Sequence, residues 1–173
     1  VRYQYDPAAG MLTQITDTAG RIVTFGYDGS NHLTLLTDPI GRTVHFAYDG
    51  TGNLASATDP NGHTTTYTYD ADHQLLTVTD PRGNVVATNT YDDQQRVVTS
   101  QRDAKGGQTT YGYETANNVT TITDALGGIT KHHHDALLRL IREDDANGHS
   151  TLYVYDEAGN RTSVTDKNGN VTT

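Results

Sequence analysis

The chain alternates between short runs of apolar and hydroxyl-bearing residues and short polar clusters that contain Asp and Gly. In one such run Val23, Phe25 and Tyr27 stand at every second position, with Thr24 and Gly26 between them. Because side chains point to alternate faces of a strand, this spacing predicts a strand with one apolar face. The alternation recurs along the whole chain and predicts an all-β protein.

The strand after each of these runs has a different spacing. Its apolar anchors lie three residues apart, as in Leu33 and Leu36 or Val119 and Ile122. An odd spacing puts the two anchors on opposite faces of a regular strand. Either the sheet is covered on both sides there, or one extra residue forms a bulge that returns both anchors to one face. We favour the bulge, because a repeated bend would give a coiling sheet its curvature.

An Asp followed three residues later by a Gly marks one series of turns. Segment 38–41 has Asp, Pro and Gly at the first, second and fourth positions, the pattern of a type I turn whose Asp oxygen accepts a backbone N–H. The predicted turn glycines are Gly20, Gly41, Gly62, Gly83, Gly106, Gly127, Gly148 and Gly169.

An aromatic residue followed by an acid marks a second series. We predict that the Tyr packs neighbouring repeats together, that the acid starts a turn, and that a later residue takes a positive φ. Those later residues are Gly10, Asn31, Gly52, Asn117 and Gly159. The pairs are Tyr5-Asp6, Tyr27-Asp28, Tyr48-Asp49, Tyr69-Asp70, Tyr91-Asp92, Tyr113-Glu114, His134-Asp135 and Tyr155-Asp156.

Both series step by 21 or 22 residues, except for one step of 23 between Asp80 and Asp103. Each unit therefore reads as strand, turn, strand, turn, and repeats of this kind stack on their neighbours. We predict a single array over residues 1–173, of about eight units, without a separate catalytic domain. Since the chain starts and stops inside a repeat, we expect it to be a piece of a longer protein.

Segment 136–143 has the composition of a helix, and it is the best helix candidate in the chain. The repeat register requires a turn and a second strand at this place, with Leu140 in the recurrent Leu position. We predict a strand.

Composition narrows the function classes. Hydrophobic residues make up 34% of the 173 residues, there is no Cys, and the net charge is −9. The shortage of basic residues argues against nucleic-acid binding, and the chain has no apolar run long enough to span a membrane. Without Cys there is no disulfide framework and no thiol chemistry. No cofactor is expected.

Two metal hypotheses arise from the residue types. The repeated Asp residues suggest calcium, but one Asp per unit provides few ligands, so we favour a turn-forming role. His132, His133 and His134, with His149 one unit later, suggest zinc, copper or nickel. Because His132 and His134 occupy positions that are aromatic in other units, we favour packing, and no metal site is predicted.

Catalysis and sugar binding are the remaining alternatives. The carboxylates are periodic and explained by turns, whereas an active site needs an aperiodic constellation, so we expect no enzyme. The row of Tyr residues suits a sugar-binding platform as well as packing between repeats. We favour packing and keep carbohydrate binding as an alternative.

The repeat resembles the YD (RHS) repeat, in which the pattern G-R-x-T-x-x-Y-D-x-x-G-x-L-x-x-x-x-D-x-x-G recurs, and the resemblance covers essentially the whole chain. The chain departs from the pattern at Glu114, His134, Asn89, His132 and Arg161. The best match runs through Gly41, Arg42, Thr43, Tyr48, Asp49, Gly52, Leu54, Asp59 and Gly62.

The resemblance implies antiparallel β-hairpins in a continuous spiralling sheet, part of a hollow shell. In bacterial members that shell encloses or carries a C-terminal toxin, and in animal teneurins a similar shell serves adhesion. We therefore expect a structural scaffold, secreted or on the surface of a bacterium, whose partners are the rest of its shell and a toxin. The alternative is a carbohydrate- or receptor-binding adhesion module. Open sheet edges predict self-association.

Overall fold

The structure is a computed structural model that describes residues 1–92, 94 and 96–173. The described residues contain seventeen strands and no helix, and every strand pair is antiparallel, which confirms the predicted all-β class. The strands are β1 (Arg2–Tyr5), β2 (Leu12–Thr16), β3 (Ile22–Tyr27), β4 (Leu33–Thr37), β5 (Thr43–Tyr48), β6 (Leu54–Thr58), β7 (Thr64–Tyr69), β8 (Leu75–Thr79), β9 (Val85–Tyr91), β10 (Val98–Asp103), β11 (Gln108–Glu114), β12 (Val119–Thr123), β13 (Ile129–His134), β14 (Leu140–Asp144), β15 (Ser150–Tyr155), β16 (Arg161–Thr165) and β17 (Val171–Thr172).

The chain forms two compact units, residues 1–88 and 89–173. In the first unit β1 to β8 and the start of β9 pair in chain order. In the second unit β10 to β17 do the same. In the described part of the chain each strand contacts only its sequence neighbours, so each unit is one layer of hairpins. The prediction of a single array over 1–173 remains a prediction.

The register separates an apolar face from a hydroxyl face. Phe25 lies opposite Leu36, and Leu36 lies opposite Val44. One position further along, Thr24 lies opposite Thr37, which in turn lies opposite Thr43. The face that carries Phe25 and its equivalents is called the apolar face. The alternation of Thr with aromatic and aliphatic residues in the sequence therefore sorts the two surfaces of the sheet.

The apolar face is half-buried rather than enclosed. Among the described residues no hydrophobic side chain is fully buried, and the one buried residue is Asn89, whose Oδ1 accepts a hydrogen bond from Gln101 Nε2 at 3.0 Å. The chain exposes 11422 Å², whereas a globular protein of this size exposes about 8,300 Å². Within each unit the described strands form one layer, without a second layer that would enclose a core.

The predicted bulges are present in most hairpins. Gly26 pairs with Leu35 and Tyr27 pairs with Leu33, so Thr34 is the extra residue. The bulge brings Leu33 and Leu36 onto the apolar face, opposite Tyr27 and Phe25. Equivalent shifts precede Tyr5, Tyr48, Tyr69, His134 and Tyr155.

The prediction of a bulge between Val119 and Ile122 is wrong. The register of β11 and β12 runs without a break from Thr110 to Glu114, so Val119 pairs with Glu114 and Ile122 pairs with Tyr111. Val119 and Ile122 therefore point to opposite faces. The physical cause lies in the turn that joins these strands, which takes up the extra residue in place of the strand.

Two further features agree with the sequence pattern. Segment 136–143 contains a turn followed by β14, which confirms the predicted strand over the helical alternative. The 23-residue step has one of its additional residues in β9, where Thr79 pairs with Val85 and Val78 with Ala87, so Val86 is a bulge. Among the described residues there is no helix long and apolar enough to cross a membrane.

Candidate functional site

The Asp of each repeat turn binds the backbone of its own turn. At Asp49, Oδ1 accepts the N–H groups of Thr51 and Asn53, both at 2.9 Å, and Oδ2 accepts Asn53 Nδ2 at 3.0 Å. The Gly52 N–H donates to the Asp49 carbonyl at 3.1 Å, closing a type I turn. Because Gly52 has a φ of 88°, the turn ends in the left-handed residue that typifies a three-residue hairpin loop.

Both turn series use this same arrangement. At Asp17 the N–H groups of Ala19 and Arg21 donate to Oδ1, and the Gly20 N–H donates to the Asp17 carbonyl at 3.2 Å. The sequence marks two series of turns, and most turns of both series are closed by the same hydrogen bonds. All eight predicted glycines of the Asp–Gly series have positive φ: Gly20, Gly41, Gly62, Gly83, Gly106, Gly127, Gly148 and Gly169.

In the Tyr-Asp series the positive φ was predicted correctly at Gly10, Asn31, Gly52 and Gly159. It was wrong at Asn117, since Asn118 takes this conformation, with a φ of 51°.

The residue four positions after the Asp is a part of the turn that the sequence reasoning missed. Its side chain donates to the second carboxylate oxygen, as Arg42 Nε does to Asp38 Oδ2 at 2.6 Å. The signal was present in the sequence, because this position repeatedly holds a side chain with an N–H donor. The residues concerned are Arg21, His32, Arg42, Asn53, His63, Gln74, Asn84, Arg139, Asn160 and Asn170.

These hydrogen bonds favour the ionised carboxylates. The side-chain amide of Asn53, followed by its backbone N–H, holds the pKa of Asp49 well below its usual range. The Asn84 amide and backbone N–H lower the pKa of Asp80 to about 2. Carboxylate oxygens that are occupied in this way are satisfied within their own turns, which favours the turn-forming role over calcium binding.

The Tyr of the Tyr-Asp pair connects one repeat to the previous one. The Tyr155 hydroxyl donates to the Leu140 carbonyl at 2.9 Å, fifteen residues earlier. The ring of Tyr48 also stacks on His32, with centroids 4.4 Å apart. The same hydroxyl bond is made by Tyr27 to Leu12, Tyr48 to Leu33 and Tyr113 to Val98.

The remaining predicted positions lie at equivalent places in their hairpins. Tyr5 and Tyr69 stand opposite Leu12 and Leu75, and Tyr91 ends β9. The carboxylates at the other turns also accept backbone N–H groups, although the turn at Asp6 is one residue longer and closes with the Gly10 N–H on the Asp6 carbonyl at 2.8 Å. They are Asp6, Asp28, Asp70, Asp92 and Asp156.

The turn at Glu114 departs from this arrangement. The Asn117 N–H donates to the Glu114 carbonyl at 3.1 Å, but the described residues give the carboxylate only one hydrogen bond, from Asn117 Nδ2 at 3.5 Å. A Glu carboxylate is one methylene further from the backbone than that of Asp, so it does not bind the turn N–H groups. The turn extends by one residue to Asn118, and β12 has no bulge.

The missing bulge opens a cleft on the apolar face. In most hairpins that contain a bulge a Leu lies opposite the Tyr, as Leu33 does to Tyr27, whereas Tyr113 lies opposite the smaller Thr120. A volume of 260 Å³ remains, and this space is called the Glu114 cleft. It is lined by Tyr113, Glu114, Thr115, Asn118, Val119, Thr120, His134 and Leu138.

The three adjacent His residues do not converge on one point. His132 Nε2 lies 3.4 Å from Glu143 Oε2, and His133 Nε2 lies 2.9 Å from Asp144 Oδ2, so each faces a carboxylate on β14. Those carboxylates were not identified from the sequence. The rings of His132 and His134 meet edge to face, with centroids 6.4 Å apart. The described residues contain no group of three His, Cys, Asp or Glu residues arranged to hold a metal ion.

Solved structures share this fold. The pore of the Photorhabdus luminescens Tc holotoxin, in a TccC3 variant, superposes with a TM-score of 0.60 at 15% identity, over 94% of this chain and 10% of that one. The crystal structure of TcdB2-TccC3 gives a TM-score of 0.59 at 16% identity, with coverages of 94% and 10%. The chain thus spans about a tenth of the length of these neighbours.

No curated protein sequence matches the chain significantly. The model of the family described as RHS Repeat matches five overlapping or successive segments, residues 5–43, 27–64, 48–85, 91–129 and 134–171. These segments cover most of the sequence, and they contain the Asp turns and the Tyr hydroxyl bonds described above. The chain belongs to the RHS repeat family.

Proposed function

We propose that this chain is a section of a protein wall, and that the longer protein uses the wall to enclose or carry a toxin segment. The observation that carries the proposal is that the described residues of each unit form one layer of hairpins in which no hydrophobic side chain is fully buried. The periodic Asp and Tyr residues are engaged in holding neighbouring strands together. A layer built in this way separates two spaces, and its action is steric rather than catalytic.

The solved neighbours support the toxin part of the proposal by their names. They are components of the Tc holotoxin and of TcdB2-TccC3. The apolar and hydroxyl faces of this chain also give its layer two chemically different sides, as a wall between two spaces requires. On the same basis we propose that the protein acts outside a bacterial cell or on its surface. The partners are then the rest of the wall and the enclosed segment.

Limited proteolysis of the full gene product tests enclosure. We expect any segment inside the wall to resist a protease that cleaves the same segment rapidly when it is expressed alone. Equal cleavage rates in the two forms would contradict the proposal. A glycan array with the 173-residue chain is the companion measurement, because a wall without a ligand role gives no saturable glycan binding.

A further inference from the structure

The hydroxyl face changes its chemistry over β13, β14 and β15. In the equivalent strands β5 to β7 this face carries small and hydroxyl-bearing side chains apart from His45, as where Ser56 lies between Ala47 and Thr66. At the same positions β13 to β15 carry two cations, an imidazole, a carboxylate and two aliphatic side chains. A change concentrated on three neighbouring strands marks a candidate contact surface. These side chains are called the Arg142 patch: Lys131, His133, Arg142, Asp144, Leu152 and Val154.

The carboxylate of Asp144 lies at the centre of the patch. Its Oδ1 accepts Arg142 Nε and Ser150 Oγ, both at 2.6 Å, and its Oδ2 lies 2.9 Å from His133 Nε2. The Ser150 hydroxyl and then the Arg142 guanidinium lower the pKa of Asp144 to about 2, so the carboxylate is ionised at neutral pH. Since both oxygens are occupied, the carboxylate has little capacity left for a further cation.

Lys131 and the end of the Arg142 side chain are therefore open to a ligand. Lys131 lies directly opposite Asp144, yet among the described residues its ammonium has no hydrogen bond or ion pair. Arg142 uses only Nε, so in the described part of the chain its two Nη groups have no acceptor, and the side chain is 50% exposed. The bond to Asp144 fixes the orientation of the guanidinium, which lowers the cost of binding an oxyanion through two parallel hydrogen bonds.

Two exposed aliphatic side chains continue the patch on β15. Leu152 lies opposite Arg142 and is 42% exposed, and Val154, two residues further on, is 53% exposed. The two-residue period of a strand places both on the same face as Arg142. In β7 the equivalent positions hold Thr66 and Thr68. The patch therefore presents positive charge beside uncovered apolar surface.

This combination distinguishes between kinds of ligand. A small oxyanion such as phosphate satisfies the cations but leaves Leu152 and Val154 in water. The net charge of −9 opposes contact with an anionic bilayer, and a second copy of the chain carries the same net charge. A polypeptide segment with one acidic residue between aliphatic residues has little charge of its own and complements both halves of the patch.

From these observations we propose that the Arg142 patch binds a segment of a partner polypeptide through a Glu or Asp side chain that is flanked by aliphatic residues. The ligand carboxylate meets the Lys131 ammonium and the Arg142 Nη groups, and the flanking side chains cover Leu152 and Val154. Binding here does not require the enclosure proposed above, because the patch is complete within β13 to β15.

Nuclear magnetic resonance titration of the isotope-labelled chain with a capped Thr-Val-Glu-Leu-Thr peptide tests the proposal. The comparison probes are the same peptide with Gln in place of Glu, the same peptide with Ala in place of Val and Leu, and inorganic phosphate. We expect the Glu peptide to shift resonances of Lys131, Arg142 and Leu152 and to bind more tightly than each comparison probe. Resonances of β5 to β7 should stay unchanged.

Charge variants separate binding from folding. We expect Arg142→Gln to weaken binding of the Glu peptide about tenfold, as the loss of one charge-assisted pair implies. Lys131→Gln should weaken it about threefold and leave the Tm unchanged, because Lys131 has no partner among the described residues. The matched variant Lys105→Gln removes a cation from a turn of the same unit and leaves binding unchanged.

Leu152→Thr tests the apolar half with the residue type that β7 has at this position, Thr66. We expect the Glu peptide to bind about fivefold more weakly, because less aliphatic surface is covered in the complex. Thr suits a strand, so the circular dichroism spectrum should match that of the wild type.

Each of the following results would overturn the proposal. Equal binding of the Glu and Gln peptides removes the cations from the site. Phosphate binding as tight as that of the Glu peptide assigns the patch to a small oxyanion. Binding to vesicles of phosphatidylglycerol and phosphatidylcholine without binding of the peptide assigns it to a membrane. Shifts of the same resonances with rising concentration of the chain alone assign it to a second copy, and the absence of shifts with the Glu peptide up to its solubility shows that the patch binds no acidic segment.

Discussion

The turns that begin at Asp49 and at Glu114 both follow a Tyr, but they have different hydrogen bonds and different lengths. At Asp49 the carboxylate accepts four hydrogen bonds from Thr51 and Asn53, the turn closes at Gly52, and the next strand contains a bulge. At Glu114 the carboxylate accepts one long hydrogen bond, the turn extends to Asn118, and the strand is regular.

The difference shows that the one surplus residue of each hairpin lies either in the turn or in a bulge of the next strand. In either hairpin the next apolar anchor lies six positions after the Tyr, so the length is constant. The Asp fixes a short turn and moves the surplus residue into the strand. When Glu fails to fix the turn, the surplus residue stays in the loop, and an apolar anchor leaves the apolar face. One methylene group thus opens a cleft.

Acid is expected to have the largest effect, because it acts on several Asp turns at once. The pKa of Asp80 is lowered to about 2 by Asn84, and the pKa of Asp166 is lowered by the side-chain amide and then the backbone N–H of Asn170. As the pH falls, the carboxylates of the unfolded chain bind protons at a higher pH than those of the folded chain. The stabilisation by these carboxylates is therefore complete above about pH 4 and is lost as the pH falls towards about 2. Thermal unfolding followed by circular dichroism between these values checks this. A constant Tm down to the lower limit would contradict it.

Removal of a single turn carboxylate is the next largest change. Asp49→Ala leaves the N–H groups of Thr51 and Asn53 without their acceptor, so we expect a drop of several degrees in Tm. Glu114→Ala serves as the comparison and should change Tm little, because one long hydrogen bond is lost. Asp49→Asn keeps the Oδ1 acceptor and should lie between them. Equal losses at the two positions would show that the Asp cap does not distinguish the hairpins.

Substitution of the residues with positive φ tests how much the last turn residue contributes to the stability of each hairpin. Leu138→Gly is expected to raise the free energy of unfolding by about 1 kcal/mol, because Gly adopts positive φ without strain. Gly159→Leu at the same position of the next turn should lower it by a similar amount. Urea denaturation of both variants measures the two changes. A loss of stability in Leu138→Gly would mean that Leu138 packs within the chain.

The smallest expected effect concerns the Tyr hydroxyl. Tyr155→Phe removes the part-buried hydrogen bond to the Leu140 carbonyl but keeps the ring, so we expect a loss of about 0.5 kcal/mol in the free energy of unfolding. Tyr3→Phe is the control, since Tyr3 is 56% exposed and should give no measurable change. Identical denaturation curves for wild type and Tyr155→Phe would remove the hydroxyl from the account of how repeats are joined.

The periodic part of the fold could be predicted from the sequence, because each repeat forms the same local hydrogen bonds. The bulge at Thr34 followed from the three-residue spacing of Leu33 and Leu36, and the strand at β14 followed from the repeat register. The missing bulge before Ile122 did not follow, since its spacing is identical and only the reach of the Glu114 side chain differs. The cleft was missed for the same reason: it depends on residues from two separate turns.

The Tyr155 bond to Leu140 illustrates a final consequence, because it joins positions only fifteen residues apart. All the strand pairs described within each unit are equally local, so a hairpin has its partners as soon as one further repeat has been synthesised. Folding can therefore keep pace with the ribosome. The reverse also holds under tension: a pulling force at a strand end breaks one ladder at a time, so the chain is expected to unzip in small steps rather than rupture at once.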